Sequence, residues 1–186
     1  TNVMSEGEVF QLMKCGDTNL TEEEYLSIVE KKTAVLISAA CESGAVLAQA
    51  PERQAGALEQ YGYNVGMAFQ ITDDTLDYMA REEDFGKSIG KDLEEGKMTL
   101  PLIYTLAHCP PQRREGIKTA IEQKELSPEV LRNIFEEIRK AGGIDYSLSR
   151  AEQFIRKAVD GLLVFPACPE KDHLTAVAAF ILSRKT

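Results

Sequence analysis

The chain has 186 residues, of which 44% are hydrophobic, and its formal net charge at pH 7 is −9. This length and composition suit one folded domain with a sizeable core and exclude a disordered chain. The acidic balance argues against general nucleic-acid binding, which needs a basic surface. It would also repel a phosphorylated ligand unless a divalent cation lay between the two.

The spacing of the cysteines and the composition of the chain ends predict the cellular compartment of the protein. The four cysteines, at positions 15, 41, 109 and 168, share no CxxC spacing, so neither a zinc site nor a redox motif is indicated. We expect free, mostly buried thiols in a reducing cytoplasm. The N-terminal residues lack the basic region of a signal peptide, and the apolar stretch 174–182 is too short to cross a bilayer. Because the chain starts at Thr1 rather than Met, we expect an upstream part to be missing.

Helical patterns fill the first part of the chain. Thr21 and Glu24 form a capping box, in which the hydroxyl and the carboxylate bind backbone amides reciprocally, and this predicts a helix start. Pro51 ends the run, and a second long helix follows. Gly62 and Gly66 lie on one face of it, where another backbone can approach closely. The faces at helical spacing are Tyr25, Ile28, Val29, Val35, Leu36 and Ala39, and then Leu58, Tyr61, Val65, Ala68, Phe69, Thr72 and Leu76.

The later part of the chain continues the helical pattern after one interruption. The segment 81–97 is rich in glycine and charge and breaks the periodicity. Helices are predicted to begin near Thr99 and at Ser127, and Gly142 ends the second of these. Two more follow, in which Phe154 and Phe180 are expected in the core. Since no segment has the alternation of a strand, the sequence predicts an all-α bundle in one domain.

Three aspartates form the first candidate site. Asp73 and Asp77 lie one helical turn apart on the same face of the second long helix, and Asp74 lies beside them. Carboxylates this close repel one another and raise each other's pKa, so a bound cation is the main reason to retain them. Oxygen ligands favour a hard ion, and Mg²⁺ suits a site that also holds water and phosphate. A charged helix face that holds three acids by chance explains the isolated pattern equally well.

Basic residues form two further groups. Gly-Lys pairs at 86–87, 90–91 and 96–97 follow the aspartates, and their amides and ammonium groups can face a diphosphate whose other side is held by metal. Acidic residues share this segment, so a flexible solvated loop is the alternative. Lys32 and Thr33 place polar groups within an apolar helix, which suggests a spot that faces a cavity. For the pair Lys31-Lys32, a surface position is the commoner explanation.

The order of these motifs resembles a known family. The matching segments are Lys32-Thr33, Gly44-Ala45, residues 66–77 (GMAFQITDDTLD), Gly86-Lys87, Asp92-Leu93 and residues 96–101 (GKMTLP). Their order and spacing are similar to those around the second aspartate-rich motif of trans-type polyprenyl diphosphate synthases. The resemblance runs from about Gly7 to the C-terminus. It implies an isoprenoid-synthase-type helical bundle that is incomplete, with residues 1–186 as the C-terminal portion of a single synthase domain.

The resemblance also implies a role for individual side chains, while it implies none for Lys91. Asp92 would contact the metal ligands without binding the metal itself. The implied site residues are the Mg²⁺ ligands Asp73, Asp74 and Asp77, the diphosphate ligands Lys87 and Lys97, and the catalytic and substrate-lining residues Lys32, Thr33 and Gln70, which would surround the forming allylic cation.

The implied reaction is a prenyl transfer. An allylic diphosphate ionises, isopentenyl diphosphate attacks the cation, and loss of a proton gives a longer trans-polyprenyl diphosphate. The implied protein is a cytoplasmic homodimer without a transmembrane segment, attached loosely to membranes through its lipophilic product. The family's first aspartate-rich motif and its isopentenyl diphosphate site are absent from these 186 residues. We therefore expect this chain to supply the Mg²⁺-allylic diphosphate half of an active site and to be inactive alone.

Three other functions fit parts of the pattern. A non-catalytic partner subunit of a heteromeric prenyl synthase would share the fold. In such subunits, however, the acids and lysines of the site are usually replaced by other residues. A terpene cyclase would share the fold but resembles the segment 86–101 far less. A structural helical bundle with an acidic patch is the simplest alternative, and binding of Mg²⁺ and an allylic diphosphate would exclude it.

Overall fold

A computed structural model describes residues 2–79 and 90–184, and within these ranges the protein is helical without a strand. A π-helical turn (Glu30–Ala34) joins the second helix to the third, and a 3₁₀ turn (Leu162–Val164) follows the ninth. The helices are α1 (Asn2–Met13), α2 (Glu22–Val29), α3 (Val35–Leu47), α4 (Glu52–Leu76), α5 (Lys91–Glu94), α6 (Leu100–His108), α7 (Pro111–Glu122), α8 (Pro128–Ala141), α9 (Gly143–Gly161) and α10 (Pro169–Ser183). The all-α prediction is confirmed.

The predicted helix ends have the expected local causes. The Thr21 hydroxyl accepts a hydrogen bond from the Glu24 amide, and the Glu24 carboxylate accepts one from the Thr21 amide, which completes the capping box before α2. Ser127 caps α8 by accepting from the Val130 amide. Gly142 ends α8 with φ of +79°, a left-handed conformation that glycine adopts without a side-chain clash.

Helix α4 is the centre of the bundle and carries the aspartates. It packs mainly against α3 on one side and α9 on the other. A Cβ atom on Gly62 would lie 2.6 Å from the Ile37 carbonyl oxygen, and one on Gly66 would lie 2.6 Å from the Cα of Ala34. These two glycines therefore allow α4 to contact the backbone of the preceding helices, as their spacing predicts. Close contact fixes α4 against the segment that holds Lys32 and Thr33.

The segment around Lys32 and Thr33 is wound differently from its neighbours. Residues Glu30–Ala34 form a π-helical turn within an otherwise continuous helical run from α2 into α3. Such a turn contains one extra residue, so the side chains after it are rotated relative to those before it, and π turns are frequent at functional sites. The sequence pattern predicted a polar interruption here and not the change of helix type.

Several apolar side chains on the helical faces are exposed to solvent, although their spacing predicts burial. Phe154 lies in the core as predicted, at 9% exposure, but the prediction for Phe180 is wrong because it is 64% exposed. Leu36 and Val177 are also exposed. The four cysteines are free as predicted, but the expectation that most are buried is wrong, because only Cys109 is buried while Cys41 and Cys168 are partly exposed and Cys15 is exposed. Within residues 2–79 and 90–184, no helix is long and apolar enough to span a membrane.

Candidate functional site

Asp74 is a buried carboxylate near the end of α4. The Tyr25 hydroxyl of α2 donates to its Oδ2 atom at 2.6 Å, and the Gln70 amide donates to its Oδ1 atom at 2.7 Å. Burial raises the pKa of Tyr25 well above its usual range, so this phenol keeps its proton and acts as a donor. Both donors are neutral. They orient the carboxylate and do not cancel its charge.

The electrostatic environment of Asp74 opposes its ionised form. Burial is the largest cause and raises the pKa of Asp74 from 3.8 to about 7, with smaller contributions from the charges of Asp92 and Asp73. The hydrogen bonds from Tyr25 and Gln70 lower the pKa and offset this rise in part. An anion in this position is costly until a cation binds beside it.

Gln70 connects Asp74 to the π-helical turn. The Thr33 hydroxyl donates to Oε1 of Gln70 at 2.9 Å, while Nε2 of the same amide donates to Asp74. The two bonds together fix which end of the Gln70 amide carries oxygen. Thr33 and Gln70, which were predicted to line one place, are therefore in direct contact. These two bonds also hold the Gln70 carbonyl dipole in one orientation.

Asp77, at the C-terminal end of α4, faces the segment that begins at Gly90. Its two carboxylate oxygens lie 3.3 Å from the Gly90 and Asp92 amide nitrogens, which donate to them. Gly90 has φ of +77°, a conformation that presents its amide without a Cβ clash. Burial and the charge of Asp92 raise the pKa of Asp77, and these amide bonds oppose the rise.

Lys97 supplies positive charge next to this carboxylate group. Its ammonium lies 2.8 Å from Oδ1 of Asp92 and 2.8 Å from Oε2 of Glu95. Partial burial lowers the pKa of Lys97, but the hydrogen bonds and charges of Asp92 and Glu95 outweigh burial and raise it overall, so Lys97 stays charged. The same positive charge lowers the pKa of Asp77, which places Lys97 within electrostatic reach of the aspartates.

The remaining predicted residues have other partners. Asp73 is half-exposed, and its Oδ1 atom accepts a hydrogen bond at 3.1 Å from Arg184, which directly follows α10. Lys32 binds Glu8 at 2.8 Å and Gln11 at 2.6 Å, so its ammonium is held by α1 and not by the Gln70 network. Lys87 lies outside the described residues.

The three aspartates fit a magnesium site of one particular kind. No three His, Cys, Asp or Glu side chains within the described ranges converge on one point where a metal could bind. Asp73, Asp74 and Asp77 instead offer oxygen atoms from separate positions at the end of one helix. Mg²⁺ is commonly bound by a few carboxylates together with water and substrate phosphates, and a cation beside Asp74 would offset the cost of ionising this buried carboxylate. The donor set therefore fits Mg²⁺ with a diphosphate as co-ligand.

The sequence patterns did not predict two of the residues that contact the aspartates. Tyr25 was placed among the residues of a helical face, and only its spacing of eight from Thr33, close to two helical turns, hinted at a shared side. Arg184 lies 111 residues beyond Asp73 in the chain, so no local pattern could connect the two.

Comparisons with known proteins identify a family. The family "Polyprenyl synthetase" matches residues 1–138. Octaprenyl diphosphate synthase of Escherichia coli is 39% identical over 183 residues, which cover 98% of this chain and 56% of that protein. Heptaprenyl diphosphate synthase component 2 of Bacillus subtilis is 36% identical over 96% of this chain and 50% of its own length.

The solved structures that resemble this chain are also polyprenyl synthases. Polyprenyl synthase from Caulobacter crescentus, complexed with calcium and isoprenyl diphosphate, is 40% identical, with a TM-score of 0.92 over all of this chain and 56% of its own. A decaprenyl diphosphate synthase from Rhodobacter capsulatus also has a TM-score of 0.92, at 34% identity. The chain thus spans about half the length of the relatives that it matches. On its helical fold and on these matches, the chain belongs to the polyprenyl synthetase family.

Proposed function

We propose that residues 1–186 are the C-terminal portion of one polyprenyl synthase domain, which condenses isopentenyl diphosphate with an allylic diphosphate. The observation that carries this proposal is the buried Asp74 carboxylate, which is oriented by two neutral donors and paired with no cation among the residues that the structure describes. Its neighbours Asp73 and Asp77 complete a carboxylate group suited to Mg²⁺ and diphosphate. The synthase names of the relatives support the same reaction class.

In this proposal each described side chain has a defined task. Asp73, Asp74 and Asp77 would hold Mg²⁺, which when bound would neutralise the diphosphate as it leaves the allylic carbon. Lys97 would stabilise the same departing charge, with Lys87 as the expected second cation. The Gln70 oxygen, fixed by Thr33, would direct a dipole at the allylic cation, and an amide carbonyl is too weak a nucleophile to trap that cation readily.

Lys32 has a different place in this scheme. Its ammonium is bound by Glu8 and Gln11, and its side chain is about one-third exposed. A lysine with these partners can reach a diphosphate only by exchanging one ion pair for another. We propose that Lys32 binds substrate after such an exchange. Loss of diphosphate affinity in Lys32→Met, without loss in Lys31→Met, would support this role.

Direct binding tests the metal-diphosphate site. Titration calorimetry of the chain with Mg²⁺ and a non-hydrolysable allylic diphosphate should give a binding signal that is lost in Asp74→Asn. Asp160→Asn, which removes the same charge from an exposed position of α9, is the matched control and should bind normally. Absence of binding to the wild-type chain would favour the structural bundle with an acidic patch.

The chain alone is proposed to be inactive. The 186 residues contain one aspartate-rich motif, and the family resemblance implies that turnover also needs an earlier one. With Mg²⁺ and both diphosphates, the isolated chain should give no elongated product by mass spectrometry, whereas the octaprenyl synthase of E. coli serves as the positive control. Elongated product from the isolated chain would refute this part of the proposal.

A partner-subunit role is the second candidate. It is favoured by one observation, the similarity to a protein named as component 2 of a heptaprenyl synthase. Such a subunit would bind another chain stably, so affinity purification of the tagged chain with candidate subunits tests the role. The presence of Asp73, Asp74, Asp77 and Lys97 favours a catalytic chain, because a purely regulatory subunit does not need them. The homodimer and the cytoplasmic location remain predictions from family membership.

A further inference from the structure

Arg184 lies across the exposed edge of the aspartate group. Its Nη2 atom donates to Oδ1 of Asp73 at 3.1 Å, and its guanidinium carbon is 5.0 Å from the ring centroid of Phe69. Phe69 and Asp73 are four residues apart on α4, so they form adjacent positions on one face. The guanidinium therefore contacts a carboxylate and an aromatic face at once, although it belongs to a distant part of the sequence.

This contact is held by the packing of α10. Helix α10 lies against α4 and α9, with Ala178 and Ile181 buried, and Arg184 is the first residue after it. The ion pair is partly exposed, at 31% for the Arg184 side chain and 50% for Asp73. One guanidinium nitrogen, Nη1, is buried and has no hydrogen-bond partner among the described residues. The arginine is thus held in place, and one of its donors has no partner within residues 2–79 and 90–184.

The guanidinium and a metal ion compete for the same carboxylate. Arg184 engages Oδ1 of Asp73, which makes this oxygen less available to a cation, and the positive charge of Arg184 repels a cation at either carboxylate oxygen. An exposed ion pair is weak enough to be displaced by a divalent ion. We infer that Arg184 is a competitor of Mg²⁺ at Asp73: it neutralises this aspartate in the metal-free protein and leaves it when the metal binds. This inference rests on the metal site of the proposed function.

Calorimetric titration of the chain with Mg²⁺, first alone and then with inorganic pyrophosphate present, tests the inference. Arg184→Gln should bind Mg²⁺ about two- to fivefold more tightly than the wild type, the factor that corresponds to the strength of an exposed ion pair. Arg156→Gln is the matched control, because Arg156 pairs with Glu152 on the outside of α9 and its loss changes the net charge equally. Phe69→Leu removes the aromatic face without changing any charge and should tighten binding to a smaller extent.

A spectroscopic measurement follows the arginine itself. The Nε–Hε signal of Arg184, assigned by its absence in Arg184→Gln, should shift on addition of Mg²⁺, while that of Arg156 should not. Thermal unfolding confirms that each variant is folded.

The possible outcomes distinguish failure of the competition by Arg184 from failure of the proposed metal site. Unchanged or weaker Mg²⁺ binding in Arg184→Gln, relative to Arg156→Gln, would overturn the competition while the metal site stands. Absence of Mg²⁺ binding to the wild type, even with inorganic pyrophosphate present, would remove the metal site and the inference together.

Discussion

Replacement of Asp74 by asparagine should stabilise the metal-free protein while it abolishes metal-dependent binding. Burial raises the pKa of Asp74 from 3.8 to about 7, so the folded protein holds this proton more tightly than the unfolded chain does. A rise of about three pKa units corresponds to about 4 kcal/mol of unfavourable free energy for the ionised form. Asparagine has nearly the same shape and no charge, so it removes this cost.

The contribution of Asp74 to stability depends on pH because its pKa is raised in the folded protein. The stability that Asp74 contributes as a neutral acid is fully present below about pH 4 and is lost as the pH rises through about 7. Between pH 6 and pH 8 the wild type should lose about 1 kcal/mol of stability through this group. In Asp74→Asn the new amide cannot accept from both Tyr25 and Gln70 as the carboxylate does, and rearranging these bonds costs about 1 kcal/mol each. The net gain at pH 8 should therefore be about 2 kcal/mol.

Urea unfolding followed by circular dichroism, in EDTA at pH 6 and pH 8, measures the pH dependence of wild-type stability and the stability gained in Asp74→Asn. Asp160→Asn serves as the control, and its stability should change by less than about 0.5 kcal/mol because the side chain is exposed. Each variant differs from the wild type at one residue, so the comparison between variants isolates Asp74. A less stable Asp74→Asn protein at pH 8, or the same pH dependence as the wild type, would refute the reasoning.

Three further variants test other contacts. Tyr25→Phe removes a donor to the buried carboxylate, so stability at pH 8 should fall by about 1.5–3 kcal/mol, and unchanged urea unfolding would contradict the contact. Gly66→Ala should destabilise by about 1–3 kcal/mol because its Cβ would strike the neighbouring backbone, whereas Gly56→Ala, with open space around it in the same helix, should be neutral or stabilising. Lys97→Gln should weaken binding of Mg²⁺ with an allylic diphosphate about tenfold or more, and equal weakening in the exposed Lys91→Gln would exclude a specific role for Lys97.

Local sequence patterns predicted much of the architecture because their causes are local. Thr21, Ser127 and Gly142 satisfy helix ends through atoms within a few residues, so they mark the same boundaries in the sequence and in the structure. The pair Gly62 and Gly66 predicted close packing because only glycine lets two backbones approach to such distances. Periodicity alone did not place Phe180, since a helix with small residues on several faces has more than one candidate inner side.

The aspartate motif and the order of the lysines were enough, from sequence alone, to indicate the family and the chemistry expected of it. The state of each charged group was decided by tertiary structure. Adjacent residues Asp73 and Asp74 have the same side chain, yet one pairs with Arg184 at the surface and the other is buried between Tyr25 and Gln70. Such partners come from helices that are far apart in the chain. Burial, and with it the pKa of a carboxylate, depends on which helices pack together, and a sequence motif does not contain that information.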